Sequence, residues 1–578
     1  MTALESLFDQ VFAPDHAERV AVTYEHREIT YEELQRSTVR AAGSLHALGV
    51  RDKNRVAILL NDSPEFISSF VAIISLGAIA VPINMALSKD DQLFILKDCG
   101  ARAAIIEAQT VGTLFSNADD VHTPATHLSE LKDLLIVNRG QESSRIRIPG
   151  IRSHLDEEGS LSYVPSPMGE GWWRGLDTSP TTLPLNPLPS GEGRTTELNS
   201  LPDEFPRRGE EDADAFILYT SGSTGEPKGA VHRQVDIFYT NETFCREVLR
   251  VREGDRLFSS SRLPFAYGLG NSFTFPLLNG FTTILCREKP SPEVIARIFC
   301  DYHPTIFFAV PVVYRMLLEH QRNGNALDCS SLRLCVSAGE ALPAKLGEEW
   351  QRTFSVQVLD GIGSTEMLHM FMSNHEGEVR YGSSGKLLRG YEARLIDHDG
   401  NATLEGEVGN LWIRGHSAAA RYWERPETTA QTFVDGWVRT GDLYRRDAGD
   451  FWWHMGRSDD CFKPTGQWVS PVEVEGALLQ NENLRAAAVV EGFDKDGLSC
   501  VCAFIVCKEN VGEPQVEKDL RALCESMLPR FKQPRRYIFV SELPYTATGK
   551  VQRFKLREQL RELQRPTWNV QTLSTDRK

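Results

Sequence analysis

The sequence predicts an α/β fold: a large N-terminal domain of α/β layers with an additional antiparallel β subdomain, followed by a small α+β C-terminal domain. Three observations predict it. Short apolar runs of strand length alternate with helical stretches between Val56 and Ser337. Val408–Arg414 alternates residue by residue, as a strand of an antiparallel sheet does. Beyond Gly456-Arg457-Ser458-Asp459-Asp460 there remain about 120 residues of mixed character, a normal size for a separate domain. The division is placed at 1–458 and 459–578.

Taken in order, Val56-Ala-Ile-Leu-Leu60 reads as a buried strand. Ser63-Pro64 then starts a helix, with a hydroxyl to cap it and a proline shaped for its first turn; the helix carries Phe66, Phe70, Ile73 and Ile74. Ala78-Ile-Ala-Val81 is the next strand, so the three elements form a parallel crossover unit. The pattern repeats with a helix near Asp91–Lys97 and the strand Ala103–Ile106. Between about 163 and 196 apolar periodicity disappears and roughly a third of the residues are Pro or Gly. Pro167-Met-Gly-Glu-Gly171 and Pro189-Ser-Gly-Glu-Gly193 recur there, which marks a duplicated low-complexity insert, expected as a flexible surface excursion. Further strands are predicted at Asp255–Ser259, Thr282–Cys286, Thr305–Ala309 and Leu332–Ser337, with helices such as Val312–Gln321 between them.

The totals exclude several classes. A formal charge of −16 without a long Lys/Arg run argues against a nucleic-acid partner. Met1-Thr-Ala-Leu-Glu-Ser-Leu-Phe-Asp has no basic region before an apolar core, so no secretory signal is expected. The longest apolar run, Phe70 to Val81, is broken by Ser75 and Gly77 and is too short to span a bilayer, so no membrane partner is expected. Eleven cysteines without a Cys-x-x-Cys pair or a companion histidine cluster are expected as small core residues in a reducing compartment. A cytoplasmic enzyme, monomer or homodimer, is the expectation.

The chemistry centres on Tyr219-Thr220-Ser221-Gly222-Ser223-Thr224-Gly225-Glu226-Pro227-Lys228-Gly229, which follows the strand-like Ala215–Leu218 and leads into a second strand, Ala230-Val231-His232. Such a loop can wrap an anion: glycines allow close backbone approach, successive N–H groups point at phosphate oxygens, and hydroxyls and an ammonium add charge-assisted bonds. The P-loop of nucleotide hydrolases is excluded, because Pro227 precedes the lysine, Gly229 follows it and no helix opens there. Val336-Ser-Ala338-Gly339-Glu340 and Leu359-Asp360-Gly361-Ile362-Gly-Ser-Thr365-Glu366 begin at the carboxyl ends of predicted strands, where ligands gather in open α/β sheets. Their glycines, carboxylates and hydroxyls suit a nucleotide with Mg2+.

In this order, along nearly the whole chain apart from the insert, these segments resemble the adenylate-forming superfamily, which includes acyl-CoA synthetases, luciferases and the adenylation domains of peptide synthetases. The resemblance implies ATP, Mg2+ and coenzyme A. It places Thr220, Ser221, Gly222, Ser223, Thr224, Gly225 and Lys228 around the phosphates, Glu366 and Thr224 on Mg2+, and Thr365 on the α-phosphate. Asp360, Gly361, Ile362 and the Ala338-Gly339-Glu340 turn border adenine, with Ile362 standing where the wider family often has an aromatic. Thr440-Gly441-Asp442 resembles the ribose motif, Arg457 faces ribose and phosphate, and Asp459 matches the hinge position. Pro544-Tyr-Thr-Ala-Thr-Gly-Lys550-Val-Gln-Arg553 resembles the loop that delivers the adenylation lysine. In that superfamily the small C-terminal domain is mobile. It swings about the hinge between an adenylation half, served by Lys550, and a thioester half that brings Lys463-Pro-Thr-Gly466 to the thiol tunnel.

Two stretches bear on the acid. Leu263-Pro-Phe-Ala266-Tyr267-Gly268-Leu-Gly-Asn271 and Gly363-Ser-Thr-Glu-Met-Leu-His369-Met370-Phe-Met-Ser-Asn374 are similar to the corresponding segments of benzoate-CoA ligases and close aryl-CoA relatives. Ala266 and the glycines leave room for a flat ring, Tyr267 can pack on it, His369 borders the ring or a substituent, and Met370 can admit small substituents. Benzoate is the first choice, with hydroxybenzoates and aminobenzoates open. Other classes stay open too. An adenylation module would feed a carrier domain, for which the stretch after Lys550 is too short. A luciferase-like enzyme would not depend on coenzyme A, and an inactive homologue would bind nucleotide and serve as an interaction protein.

Overall fold

A computed structural model describes residues 6–115, 130–137, 152–156, 205–206, 212–221, 226–397, 399–464, 467, 469–494, 497–508, 512–545 and 551–564. The Pro/Gly-rich insert lies outside the described residues, as do Gly222, Ser223, Thr224, Gly225, Gly466 and Lys550. The chain divides into two compact units, Met1–Glu392 with Ile413–Val438, and Ala393–Trp412 with Arg439–Lys578.

Two sheets build the first unit. From edge to edge, the eight-stranded sheet runs Arg421–Tyr422, then Pro227–Arg233 (β2), Asp214–Ser221 (β1), Ile79–Pro82, Arg55–Leu59, Ala103–Glu107, Asp133–Val137 and Arg152–Asp156. All its pairs are parallel except those β2 makes with β1 and with Arg421–Tyr422. In the nine-stranded sheet, Leu334–Ser337 (β3) and Val358–Gly363 (β4) follow Arg256–Ser259 and Ile306–Ala309 as parallel neighbours, and Met370–Ser373 (β5) then pairs antiparallel with β4.

The helix Pro64–Ser75 shows why the layers hold. Ser63 Oγ accepts the N–H of Phe66 at 3.3 Å and Pro64 opens the first turn. Phe66, Phe70 and Ile73 share one core with Ala41 and Leu45 of the helix Tyr31–Ala47, with Ile58 and Phe216 of one sheet and with Val22 and Leu285 of the other. A helix enclosed between two sheets has no wet side, so apolar residues run all round it. Its serines bond backward to the backbone instead, Ser69 to Glu65 O at 2.6 Å and Ser75 to Val71 O at 2.7 Å. The outer faces are covered as well. Ile79, Val81 and Ile106 share a core with Leu93 and Leu96, and Phe307 and Val358 share one with Tyr314, Leu317 and Trp350. Strands buried on both faces read as continuous apolar runs, which is why they are legible in the sequence.

The second unit contains a three-stranded sheet of Leu484–Phe493, Ser499–Cys507 and Arg536–Phe539, antiparallel then parallel. Its faces alternate: Val489, Val501 and Ala503 join Leu520 on one side, and Val490, Cys502 and Phe504 join Leu556 and Leu560 on the other. Val408–Arg414 is a strand whose burial alternates along its length. All eleven cysteines are free. Among the described residues no helix is long and apolar enough to cross a membrane.

Candidate active site

β1 and β2 pair as a hairpin on either side of the glycine-rich stretch expected to wrap phosphate. Thr220 lies opposite Lys228 and Ser221 opposite Pro227. A methyl group added at Gly229 would fall 2.5 Å from Ile217 and 3.0 Å from the Tyr219 ring, so close packing across the hairpin requires glycine there. Lys228 places its ammonium 4.5 Å from the centre of the Tyr422 ring, on the short strand that pairs with β2.

The turn that carries Thr365 and Glu366 is held at three successive carbonyls. Thr365 O lies 2.7 Å from His232 Nε2, Glu366 O accepts Ala419 N–H at 2.7 Å, and Met367 O accepts Ser417 Oγ–H at 2.9 Å. Ser364 Oγ caps the turn from below, accepting Met367 N–H at 3.2 Å. The Glu366 carboxylate receives the Tyr422 hydroxyl on Oε1 at 2.5 Å. Leu368 then adopts φ +64° and ψ −41° while His369 N–H donates to Met367 O at 2.8 Å. That is a γ-turn on a branched residue, a strained conformation that persists only where the surroundings enforce it. It reverses the chain between Glu366 and His369.

His232 is fully buried and stacks on Phe216, with ring centres 5.2 Å apart and planes inclined at 17°. Its Nδ1 lies 3.0 Å from Asp236 Oδ2, and Asp236 Oδ1 accepts Arg233 Nε–H at 3.0 Å. The Thr365 carbonyl oxygen only accepts, so the ring meets it through Nε2–H.

Asp360 sits inside β4 rather than on a loop after a strand. β4 extends to Gly363 because its outer half pairs with β5, an element without a clear signal in the sequence. Gly361 belongs to this pairing, since a methyl there would fall 2.4 Å from Met372 O. Ile362 faces Met372 across the same pair. Asp360 Oδ2 accepts Leu342 N–H at 3.2 Å, and burial pushes the carboxyl up to about 8. Beyond β3, Ala338 is buried, Gly339 takes φ +91° and Glu340 is exposed. The folded chain keeps the Asp360 proton that the unfolded chain releases above 3.8, so this group costs stability as pH rises toward about 8. Asp360→Asn is therefore expected to flatten the decline in urea-unfolding free energy between those pH values; an unchanged slope contradicts it.

Ala266, Tyr267 and Gly268 lie on the short helix Ala266–Leu269. A methyl at Gly268 would fall 2.0 Å from Arg262 O. The approach is pinned by buried Asp62, whose Oδ1 accepts Leu263 N–H at 3.0 Å, and by Arg262, which donates to Cys286 O at 2.5 Å. Tyr267 donates its hydroxyl to Val336 O at 3.1 Å, tying the helix to β3. His369 is surrounded by the rings of Phe275, Phe244 and Tyr267, with centres 4.6, 5.0 and 5.6 Å away. Burial lowers its pKa to about 3, so the ring is neutral, and Nε2–H donates to Asn271 Oδ1 at 3.2 Å. Met370 is buried at the start of β5.

In the second unit, Arg457 NH1 donates to Asp442 Oδ1 at 3.2 Å and to Thr440 O at 2.9 Å, and His454 Nε2 lies 3.5 Å from the same carboxylate. Gly441, at φ +75°, makes room for Arg457. Asp459 is exposed in a turn, and Lys463 is exposed as well. Asp460 lies 3.6 Å from Arg553 and 3.1 Å from Arg557, while Arg553 NH2 donates to both oxygens of Glu475 at 2.8 Å.

The structure thus brings Thr365, Glu366 and Lys228 to Tyr422 and His232, and Tyr267 to His369, within the first unit. Sequence reasoning missed Tyr422, Ser417, Asp236 and His232 as the partner of Thr365. His232 closes the glycine-rich stretch and could have been flagged by that position; Tyr422 in Ala-Arg-Tyr-Trp-Glu-Arg carries no local signal.

The AMP-binding enzyme family matches residues 9–423, and the AMP-binding enzyme C-terminal domain matches residues 473–550. The chain is 38% identical over 536 residues to a benzoate–CoA ligase of Thauera aromatica, covering 91% of this chain and 90% of that one. It is 31% identical over 563 residues to a 3-hydroxybenzoate–CoA/4-hydroxybenzoate–CoA ligase of the same organism, covering 97% of each. Among solved structures, the anthranilate CoA ligase AuaEII in complex with anthranoyl-AMP superposes with a TM-score of 0.81 at 33% identity, over 97% of this chain and 98% of that one. With the α/β layers, the separate C-terminal elements and these matches taken together, the chain belongs to the AMP-binding enzyme family.

Proposed function

We propose that this protein is an ATP-dependent aryl-CoA ligase with benzoate as its first substrate. The observation that carries the proposal is the continuity of the Thr365–Met370 segment. It holds Glu366 and Thr365 on an immobilised turn and, one γ-turn later, inserts a neutral His369 among the rings of Phe244, Tyr267 and Phe275. A phosphate-facing group and a wall for a flat ring are thereby two parts of one short stretch. The relatives act on aromatic acids by their names, and their identities of 31–38% span more than one acid.

A carboxylate oxygen of the acid attacks the α-phosphorus of ATP, the bond to the bridging oxygen breaks, and pyrophosphate leaves with the electron pair. The thiolate of coenzyme A then attacks the carbonyl carbon of the aryl-adenylate and AMP leaves. Both partners of the first step are anions, so fixed donors and cations offset their repulsion and the charge that gathers on pyrophosphate. Thr365, Lys228 and Lys550 supply these on this chain; Asp442 accepts the ribose hydroxyls, and the Lys463–Gly466 segment serves the thioester step. Mg2+ fits beside Glu366: one carboxylate oxygen is taken by Tyr422 and the other has no partner among the described residues, and a single carboxylate together with phosphates is a common Mg2+ environment. When bound, it would neutralise phosphate charge.

A ring bearing an amino or hydroxyl group is the second reading. Two buried polar atoms beside the aromatic cage, His369 Nδ1 and Asn271 Nδ2, lack hydrogen-bond partners among the described residues. Such a group would satisfy them.

The test is pyrophosphate release from ATP, with and without coenzyme A, for benzoate, its hydroxy and amino derivatives and a medium-chain fatty acid. Turnover confined to aromatic acids and sustained only with coenzyme A supports the proposal; no turnover with any aryl acid refutes it. Gly268→Ala is expected to raise KM for the aryl acid about 10-fold with little change in KM for ATP, because the new methyl must displace the Arg262 backbone at the pocket wall. Equal shifts in both constants would place the effect elsewhere.

A further inference from the structure

Glu366 and Lys228 carry opposite charges and share one side chain. The Tyr422 hydroxyl donates to Glu366 at 2.5 Å, and the Lys228 ammonium rests 4.5 Å from the centre of the same ring. Tyr422 is itself held firmly. It is 2% exposed, pairs with Ala230, donates its N–H to Thr429 Oγ1 at 3.0 Å and meets Phe433 edge-on at 5.4 Å. Among the described residues, neither Lys228 nor Glu366 is in an ion pair. A lysine and a glutamate this closely linked, in a site partly screened from water, attract one another, and a direct pair would occupy both charges. A ring face and a hydroxyl hold the same charges more weakly and leave each free to exchange partners.

On the reading of the site given above, the geometry points to Tyr422 as a positioning residue that keeps Lys228 and Glu366 from pairing with each other. The ammonium then remains available to the triphosphate and the carboxylate to its divalent cation. Tyr422→Phe retains the ring and removes the tether on Glu366, which is then free to swing to Lys228.

The test measures binding of a fluorescent ATP analogue with Mg2+, in the absence of acid and coenzyme A, to the full chain and to Tyr422→Phe, Lys228→Met and the double variant. Tyr422→Phe is expected to weaken binding about 10-fold in the native background, and by less than about 2-fold once Lys228 is methionine. A loss of the same size in both backgrounds is what a merely structural tyrosine gives, and it overturns the inference; so does unchanged affinity in Tyr422→Phe. A native chain that does not bind the analogue overturns the ligase reading itself, and is distinguished by needing no variant. A structure of nucleotide-free Tyr422→Phe supplies the second readout. Lys228 Nζ within about 4 Å of the Glu366 carboxylate supports the inference, and an ammonium still resting on the ring overturns it.

Discussion

Replacing Lys550 by alanine is expected to lower aryl acid-dependent pyrophosphate release by at least about 1,000-fold, while conversion of supplied aryl-adenylate and coenzyme A to the thioester stays within about 2-fold of the native rate. Adenylation joins two anions and expels a third, so a cation at the reacting atoms acts mainly in the transition state. Thioester formation expels AMP without forming pyrophosphate and has no such need. Arg553, three positions further on, donates to both Glu475 oxygens, so Lys550→Ala leaves that contact in place. Equal loss in both half-reactions would remove Lys550 from the proposed role.

His232→Ala is expected to cost about 3 kcal/mol of stability and to reduce pyrophosphate release about 100-fold in the fraction that remains folded. The substitution leaves the Thr365 carbonyl without its donor, removes the ring beside buried Asp236, which Arg233 still contacts, and empties the space stacked on Phe216. The stability loss is read by urea unfolding, and the kinetic loss by activity per folded molecule. His232→Gln, whose amide N–H still offers a donor but whose side chain does not restore the stacked ring, is expected to fall between His232→Ala and the native chain. A His232→Ala protein that is destabilised yet fully active per folded molecule would show that the Thr365 turn needs no help from this ring.

Much of the fold was legible because burial on two faces writes itself into the chain. The strands at Arg55–Leu59, Ile79–Pro82 and Ala103–Glu107 are apolar apart from the charged ends Arg55 and Glu107, and the Ser63-Pro64 start is read from two residues. The path through β4 and β5 was not legible. Gly361, Ile362 and Gly363 look like loop residues, and only pairing with Met370–Ser373 turns them into a strand. Candidate site residues were found where a motif concentrates unusual residue types, as in Thr220–Lys228 and Thr365–Glu366. Residues that act singly, such as Asp62 below the pocket helix or Ser417 on the Met367 carbonyl, left no pattern to find.

By itself the sequence determined the α/β layering, the separate C-terminal elements, the glycine-rich hairpin and the aryl-ligase-like segments, because periodicity, turn chemistry and short motifs are local properties of a chain. Only the tertiary structure decided that Tyr422 meets Glu366 across 56 positions and that His232 meets Thr365 across 133. It alone set the γ-turn at Leu368, the neutral state of His369 and the raised pKa of Asp360. These depend on which distant groups share a hydrogen bond and on how completely water is excluded, and both are settled by packing.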